Sequence, residues 1–323
     1  MNIPKEIQGF ASKLVDWRRD IHRHPELGFK ESRTAKFVAQ QLASFGCEVH
    51  TEIGGTGVVG VLRNGQRRRS IGLRADMDAL PIHEENKFDH CSSHDGVMHA
   101  CGHDGHTTML LGAACYLAQT RQFDGIVHFI FQPAEEGLGG ALAMIDDGLF
   151  DQFPCDSIYG MHNWPSMPTG QFGITNGPLL AGGALFDITV HGQGAHGAFP
   201  HHSKDPVLAA SEIVVSLQRI VARQFNPLEA GVVSVTMFKA GEAYNVIPKT
   251  SVIGGTARAF SREGLEVIEE EMERIAKGIA AAHDVTVDCD FRVTFAPTIN
   301  TEREAGMIAD AASELVGESN VER

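Results

Sequence analysis

The chain carries the stretch HACGHDGHT at residues 99–107, which places a thiol, three imidazoles and a carboxylate within nine positions. Thiolate and imidazole are the side chains that bind zinc and similar transition metals. The two glycines allow sharp turns that would direct several of these groups at one point. An Ala-rich run follows at residues 109–118 and predicts a helix. We therefore predict a loop that leads into a helix, with Cys101 and His103 as metal ligands.

The other two histidines of the stretch, His99 and His106, have a simpler interpretation. An imidazole can be satisfied by ordinary hydrogen bonds to nearby polar groups and need not bind a metal. We interpret both as hydrogen-bonded neighbours of the site rather than as ligands.

Composition limits the class of protein. The chain has 323 residues, 43% hydrophobic content and a formal net charge of −14. The acidic excess argues against nucleic acid or an anionic membrane as a partner. Six scattered cysteines form no disulfide framework and fit a reducing compartment. No apolar run reaches the roughly 20 residues needed to cross a bilayer, and residues 1–10 lack a signal-type apolar core. We expect a soluble, cytoplasmic protein.

Further candidate ligands follow β-prone runs. Residues 125–131 predict a strand buried on both faces, and Glu135 and Glu136 come soon after it. A shorter strand at 157–161 leads directly into His162. Strands that alternate with helices predict a mostly parallel sheet with helices on both faces. Such sheets form their sites beyond the carboxyl ends of the strands. These residues are therefore predicted to converge with the ligands of residues 99–107, which we call the organising stretch.

Two earlier strands are predicted at 57–62 and 70–74, joined by an Asn-Gly turn at 64–65 that is typical of a hairpin. The second strand runs into Asp76 and Asp78. Carboxylates at a strand end can enter a site or form the turn that follows. The sequence leaves both possibilities open.

The pattern changes at residues 182–183. The elements that follow have the order β-α-β-β-α-β, which is the ferredoxin-like arrangement. The predicted elements are strands at 185–190, 231–238, 251–259 and 285–295, and helices at 205–224 and 261–283. We therefore predict an inserted domain at 183–296 and a discontinuous domain at 1–182 and 297–323, the last segment being one amphipathic helix.

Ordered motifs from residue 23 to residue 258 resemble the M20 metallopeptidase/amidohydrolase superfamily, within it the aminoacylase-like branch of hippurate hydrolases and auxin-conjugate hydrolases. The motifs are RHPE (23–26), ADMDALP (75–81), HACGHDGH (99–106), QPAEE (132–136), GMHNW (160–164), HGQGAH (191–196), YNVIP (244–248) and GTAR (255–258). The resemblance implies an α/β zinc-peptidase-like fold with a mostly parallel sheet and an inserted ferredoxin-like α+β dimerisation domain. It also implies metal-dependent hydrolysis of the amide bond of small N-acyl amino acids such as hippurate.

The resemblance assigns roles around the organising stretch. Cys101, His103, Glu136 and His162 would be ligands of a two-metal site, with Cys101 bridging the two ions and Glu135 acting as general base. The ions would be divalent zinc, manganese, nickel or cobalt.

The resemblance also implies roles on the inserted domain. His196 would stabilise the oxyanion of a neighbouring subunit's site across a homodimer, and Asn245 and Arg258 would bind the substrate's α-carboxylate, arginine by a bidentate pair. Each residue has a structural alternative. His196 would then be an ordinary loop histidine, Asn245 a turn former and Arg258 a member of an ion pair on the strand surface.

One element of the family pattern is not found in this sequence. The family carries a last histidine ligand in a C-terminal segment, whereas the last histidine here is His283, within the predicted inserted domain. We therefore expect one metal to lack a ligand. Two alternatives stay open, a non-catalytic metal-binding or dimerising remnant and an aminopeptidase or dipeptidase of the same superfamily. Cys101 in the bridging place favours the aminoacylase-like branch.

Overall fold

The structure is a computed structural model that describes residues 3–323. The chain divides into two compact units. The larger unit runs up to Phe172 and includes Ala311–Val321, and the smaller unit contains Gly173–Asp310 and the last two residues. Within residues 3–323, no helix combines the length and the apolar character needed to cross a membrane.

The larger unit is an α/β structure. Its helices and strands in chain order are α1 (Lys5–Arg23), α2 (Ser32–Ser44), β1 (Glu48–Ile53), β2 (Gly57–Asn64), β3 (Ser70–Asp76), α3 (His103–Thr120), β4 (Gly125–Gln132), α4 (Gly140–Asp146), α5 (Leu149–Gln152) and β5 (Ser157–Gly160). The two-residue strand β6 (Phe172–Gly173) follows at the end of the unit.

One five-stranded sheet organises this unit, in the order β1-β2-β4-β3-β5. The pairs β4/β3 and β3/β5 are parallel, whereas β1/β2 and β2/β4 are antiparallel. The α/β fold class is therefore confirmed, and the sheet is mixed rather than mostly parallel. Strand β1, which follows helices α1 and α2, is not among the strands predicted from the sequence.

The predicted hairpin between the second and third strands is wrong, because β4 lies between β2 and β3. The Asn-Gly turn does not join paired strands. The connection passes the start of β4, where Arg69 O accepts a hydrogen bond from Ile126 N at 2.9 Å. Asn64 Nδ2 donates to the carbonyl of Arg121 at 2.8 Å, so the turn is fixed by the segment before β4.

Helices cover both faces of the sheet. On β2, Val58 and Leu62 belong to the core formed with α1, α2 and α3, whereas Val59 and Val61 belong to the core formed with α4 and α5. Strand β4 divides in the same way, with Phe129 on the first face and Ile130 on the second. The prediction of a central strand buried on both faces is confirmed, and continuous apolar runs are typical of such strands.

The smaller unit contains most of the remaining elements. These are β7 (Gly177–Leu180), β8 (Gly182–His191), β9 (Ala195–His196), α6 (Pro206–Leu217), α7 (Arg219–Arg223), β10 (Gly231–Ala240), β11 (Val246–Ile247), β12 (Thr250–Ala259), α8 (Arg262–Ala282), β13 (Thr286–Phe295) and β14 (Thr298–Asn300). Helix α9 (Glu302–Val316) and the short strand β15 (Val321–Glu322) complete the chain.

The smaller unit has the predicted β-α-β-β-α-β order. Its four-stranded sheet is antiparallel throughout, in the order β10-β12-β8-β13. The Asp205 side chain caps the first turn of α6 by accepting from Val207 N at 2.8 Å. Residues of α6 and α8, among them Ile213 and Ile268, pack with Phe186 of β8 in one core.

The unit extends beyond the predicted limits of 183–296. Strands β7 and β14 pair with each other, with Thr298 opposite Leu180, so both belong to the smaller unit. The final segment is not one helix, because α9 ends at Val316 and is followed by a 3₁₀ turn at Glu318–Asn320.

Candidate metal centre

The candidate site lies where three neighbouring parallel strands of the larger unit end. Strand β3 ends at Asp76, β4 ends at Gln132 just before the two glutamates, and β5 ends at Gly160 just before His162. The carboxyl ends of parallel strands meet at one edge of a sheet, which is where α/β proteins place their sites. Helix α3 begins at His103 and delivers the organising stretch to the same edge.

His103 is the centre of this arrangement. Its side chain is fully buried, and its Nδ1 donates to the carbonyl of Asp78 at 2.9 Å, with the Asp78 carboxylate also within 3.2 Å. Its Nε2 has no hydrogen-bond partner. A histidine held at Nδ1 by an aspartate, with Nε2 left free of other hydrogen bonds, is the usual arrangement of a metal-ligating imidazole.

Three carboxylates approach the unpartnered nitrogen. Asp76 Oδ1 and Glu136 Oε1 each lie 3.8 Å from His103 Nε2, and Glu135 Oε2 lies 3.9 Å from it. Glu136 Oε1 is also buried without a partner. An unpaired buried polar atom costs on the order of 1–3 kcal/mol, so two such atoms facing each other favour a cation between them.

Cys101 and His162 approach His103 from another side. Cys101 Sγ lies 3.4 Å from His162 Nε2, and these two atoms form a potential ligand group with His103 in which all ligand atoms lie within 4.8 Å of one another. Gly102 makes this approach possible, because it has φ of 89° and an added Cβ would lie 2.4 Å from Asn163 Oδ1. The other three predicted ligands, Cys101, Glu136 and His162, therefore all lie near His103.

The mixture of donors suits a transition metal. Thiolate, imidazole and carboxylate together are typical ligands of zinc and neighbouring divalent ions. A closed structural zinc site would have no use for the additional carboxylate of Glu135, which lies beside the ligands. The residues present therefore fit a catalytic metal centre.

The charges of the site also favour a bound cation. Burial raises the pKa of the Glu135 carboxyl, and the nearby Asp76 charge raises it further. Burial opposes protonation of His103, yet its contacts with Asp78, Cys101 and Asp76 raise the pKa of His103 to about 11. The cluster therefore carries an excess of negative charge that stabilises a positive charge at its centre.

Asp76 and Asp78, which the sequence left as either turn formers or site residues, are both buried in the site. Asp76 accepts a hydrogen bond from His106 Nδ1 at 2.6 Å, and Asp78 holds His103. Although burial disfavours their charged forms, these histidine contacts hold the pKa of each aspartate below its ordinary value. The two aspartates therefore orient imidazoles rather than form an exposed turn.

The two remaining histidines of the organising stretch behave differently. His106 is hydrogen-bonded as predicted, since Nδ1 contacts Asp76 and Nε2 accepts from Asn163 N at 3.0 Å. The prediction for His99 is wrong, because this residue is buried with neither ring nitrogen hydrogen-bonded. Burial lowers the pKa of His99 to about 4, so it is neutral. Its ring packs 6.4 Å from that of His22 on α1, a neighbour that local sequence does not reveal.

Sequence reasoning missed several residues that support the site. Asp104 accepts hydrogen bonds from Arg18 Nε at 3.1 Å and from His22 Nδ1 at 3.0 Å, which ties α1 to the first turn of α3. Asn163 contacts His106, as described above. The polar residues His22, Arg23 and His24 before Pro25 are the one local signal for the contact of α1 with α3.

The three predicted site residues of the smaller unit fall into two places. His196 on β9 lies opposite Val246 on β11, and Gly197 N donates to Asn245 O at 2.8 Å, so His196 and Asn245 are close together and exposed. Arg258 lies at the other end of β12, opposite Gly183.

The alternative interpretation of Arg258 as part of a surface ion pair finds no support. Among residues 3–323, no carboxylate lies within 4.0 Å of its guanidinium. The guanidinium instead stacks over the Phe295 ring at 5.3 Å from the ring centre, and Nη1 donates to Ala257 O at 2.8 Å.

Comparison with known proteins gives consistent matches. The sequence model of peptidase family M20/M25/M40 matches residues 72–323. Hippurate hydrolase of Campylobacter jejuni is 46% identical over 322 residues, which are 100% of this chain and 84% of that protein. N-acyl-L-amino acid amidohydrolase of Geobacillus stearothermophilus is 43% identical, over 92% of this chain and 80% of that protein. The crystal structure of the Bacillus subtilis YXEP protein, described as a dinuclear metal binding peptidase, superposes with a TM-score of 0.81 at 35% identity, covering 95% of this chain and 81% of that one.

Proposed function

The chain belongs to peptidase family M20/M25/M40, and from this premise we propose that it hydrolyses the amide bond of N-acyl amino acids. The products are a carboxylate and a free amino acid. The similar hippurate hydrolase and N-acyl-L-amino acid amidohydrolase support this substrate class. The observation that carries the proposal is the pair of buried, unpartnered atoms His103 Nε2 and Glu136 Oε1 with the Glu135 carboxylate beside them.

Cys101, His103, Glu136 and His162 are proposed to hold two divalent transition-metal ions, zinc, manganese, nickel or cobalt. Such ions, when bound, lower the pKa of a water molecule and polarise a carbonyl oxygen. The arrangement of Cys101, Glu136 and His162 around the buried His103 supports this assignment, and so does the mixed donor set.

Glu135 is proposed as the general base. It neighbours the ligand Glu136 in sequence, and its side chain is 39% exposed, so a substrate and a water molecule can reach it. Burial and the Asp76 charge raise its pKa above the ordinary value of a glutamate, which suits a group that takes a proton from water and later returns it to the leaving amine.

The substrate's polar groups are proposed to be bound by residues of the smaller unit. His196 would stabilise the oxyanion, and Asn245 and Arg258 would bind the α-carboxylate. Asn245 precedes the start of β12 at Thr250, whereas Arg258 lies near the end of that strand, eight positions after Thr250. Eight residues of extended strand span about 26 Å. That distance exceeds the length of an N-acyl amino acid, so one copy of the unit cannot supply both Asn245 and Arg258 to one substrate.

We therefore propose a homodimer in which the partner subunit supplies His196 and Asn245. The edge strands β10 and β13 of the four-stranded sheet support this proposal, because exposed edges pair readily with another chain. Two-fold symmetry is the commonest closed arrangement of identical subunits.

The six free thiols support the proposed cytoplasmic location.

The test is hydrolysis by purified protein supplied in turn with Zn²⁺, Mn²⁺, Ni²⁺ or Co²⁺. Release of glycine is measured from N-benzoylglycine and, as a matched control with a free α-amine, from glycylglycine. We expect metal-dependent release from N-benzoylglycine and much slower release from the dipeptide. Faster cleavage of the dipeptide would identify a dipeptidase, and no release from either substrate or from other N-acyl amino acids would refute the proposed function.

A further inference from the structure

Glu31 is a fully buried carboxylate that the catalytic scheme does not use. It lies at the N-terminus of α2, yet its side chain makes no capping hydrogen bond to that helix. Its Oε1 instead accepts the backbone N–H of Ala134 at 2.8 Å, and its Oε2 accepts the hydroxyl of Thr56. A buried carboxylate therefore reaches across 103 positions of sequence to the segment before Glu135.

Ala134 needs such support. It is buried and has φ of 49°, in the left-handed region that side-chain-bearing residues disfavour. The segment before α2 packs closely on it, since a Cβ added at Gly28 would lie 3.1 Å from Ala134 Cα. Surrounding structure must hold a residue in this conformation.

A second buried carboxylate holds the other side of Glu135. Glu136 N donates to Asp78 Oδ2 at 2.9 Å. The backbone N–H groups of Ala134 and Glu136, the residues on either side of Glu135, thus both donate to buried carboxylates, while the Glu135 side chain projects into the site. Two fixed peptides on either side restrict where the Glu135 carboxylate can lie.

We propose that Glu31 is a positioning residue that fixes the backbone of Glu135 through Ala134, and this proposal rests on the proposed role of Glu135 as base. A displacement of about 1 Å at a catalytic group can cost on the order of 100-fold in rate. Loss of the Glu31 contact therefore lowers kcat strongly, whereas KM and the metal content change little.

The test compares Glu31→Met with Glu26→Met. Glu26 is a matched control in the same segment, because it also accepts two hydrogen bonds, from Arg33 N at 3.0 Å and Thr34 N at 2.8 Å, but these belong to α2 and not to the site. We expect Glu31→Met to lower kcat by about 10- to 100-fold with KM changed less than about 3-fold, and Glu26→Met to leave kcat within about 3-fold of wild type.

Two further measurements keep the test decisive. Glu31→Gln retains an oxygen that can accept from Ala134 N, and the Thr56 hydroxyl can accept from the new amide, so this variant restores kcat to within about 3-fold of wild type. Hydrogen–deuterium exchange of the amides of residues 134–136 is faster in Glu31→Met than in Glu26→Met, whether or not a substrate is turned over.

Equal losses of kcat in the two methionine variants would overturn the proposal, and so would unchanged exchange at residues 134–136 in Glu31→Met. Failure of Glu31→Gln to rescue would also contradict it. If wild-type protein hydrolyses no N-acyl amino acid, the proposed function fails, and the exchange measurement still decides whether Glu31 fixes the segment.

Discussion

Replacing Glu135 by Gln separates catalysis from metal binding. The side chain is 39% exposed and lies 3.9 Å from His103 Nε2, outside hydrogen-bond distance, so an isosteric amide disturbs little packing. We expect the melting temperature to change by less than about 2 °C, as for an exposed substitution. His103 Nε2 and Glu136 Oε1 remain in place, so the metal content should match that of wild type.

The loss of turnover follows from the chemistry of the group. An amide cannot take a proton from water or return it to the leaving amine, and general-base catalysis contributes about 10²–10⁴-fold. This corresponds to about 2.7–5.4 kcal/mol of barrier. The assay is kcat for N-benzoylglycine, with metal content measured by elemental analysis on the same samples.

The control for this experiment is Glu136→Gln. This variant replaces the carboxylate that carries one of the two unpartnered buried atoms by a neutral amide and should lose both metal and turnover. If Glu135→Gln keeps more than about a tenth of the wild-type rate at saturating substrate, Glu135 is not the general base. If it instead loses metal as Glu136→Gln does, Glu135 is a ligand.

Three other outcomes are expected. Cys101→Ala should lose most of the bound metal, and equal metal in variant and wild type by elemental analysis would remove Cys101 from the ligand set. Burial opposes ionisation of Asp104, but the hydrogen bond from His22 lowers its pKa to about 2, so its charged form stabilises the fold above about pH 4 and this contribution is lost as the pH falls toward 2. Asp104→Asn should therefore lower the free energy of unfolding by about 2 kcal/mol at pH 7 and by little near pH 2, and denaturant unfolding that shows the same loss at both pH values would contradict the pKa argument. Mixing inactive His196→Ala with inactive Glu135→Gln should restore about a quarter of the wild-type sites if subunits exchange at random, because about half the dimers are mixed and each of these has one intact site. No recovery, with mixed dimers demonstrated, would show that His196 does not act across a dimer.

The site was predictable from sequence where short segments carry the chemistry. The apolar run of β4 predicts a central strand, and the polar residues that follow it are then confined to one edge of the sheet. This reasoning places Glu135, Glu136 and His162 near the loop of Cys101 and His103. The β-α-β-β-α-β order likewise predicted the four-stranded sheet of the smaller unit.

Features set by distant pairing were not predictable. The Asn-Gly turn after β2 is typical of a hairpin, but β4 pairs with both β2 and β3 and separates them. His99 was expected to be hydrogen-bonded, yet the fold buries it without a hydrogen bond. Glu31 resembles a helix cap, and only the tertiary structure shows that it binds Ala134. In each case the feature is decided by residues more than 20 positions away in sequence or by the overall packing of the unit.

We propose above that Cys101, His103, Glu136 and His162 hold the metal while the Glu135 carboxylate stays free beside it. X-ray diffraction from metal-loaded crystals, recorded above and below the absorption edge of the added metal, tests this directly. We expect anomalous difference peaks in contact with His103 Nε2 and Glu136 Oε1 and with Cys101 Sγ and His162, and no metal bond to Glu135. Peaks that leave out His103 and Glu136, or a single closed site that includes Glu135 as a ligand, would contradict it.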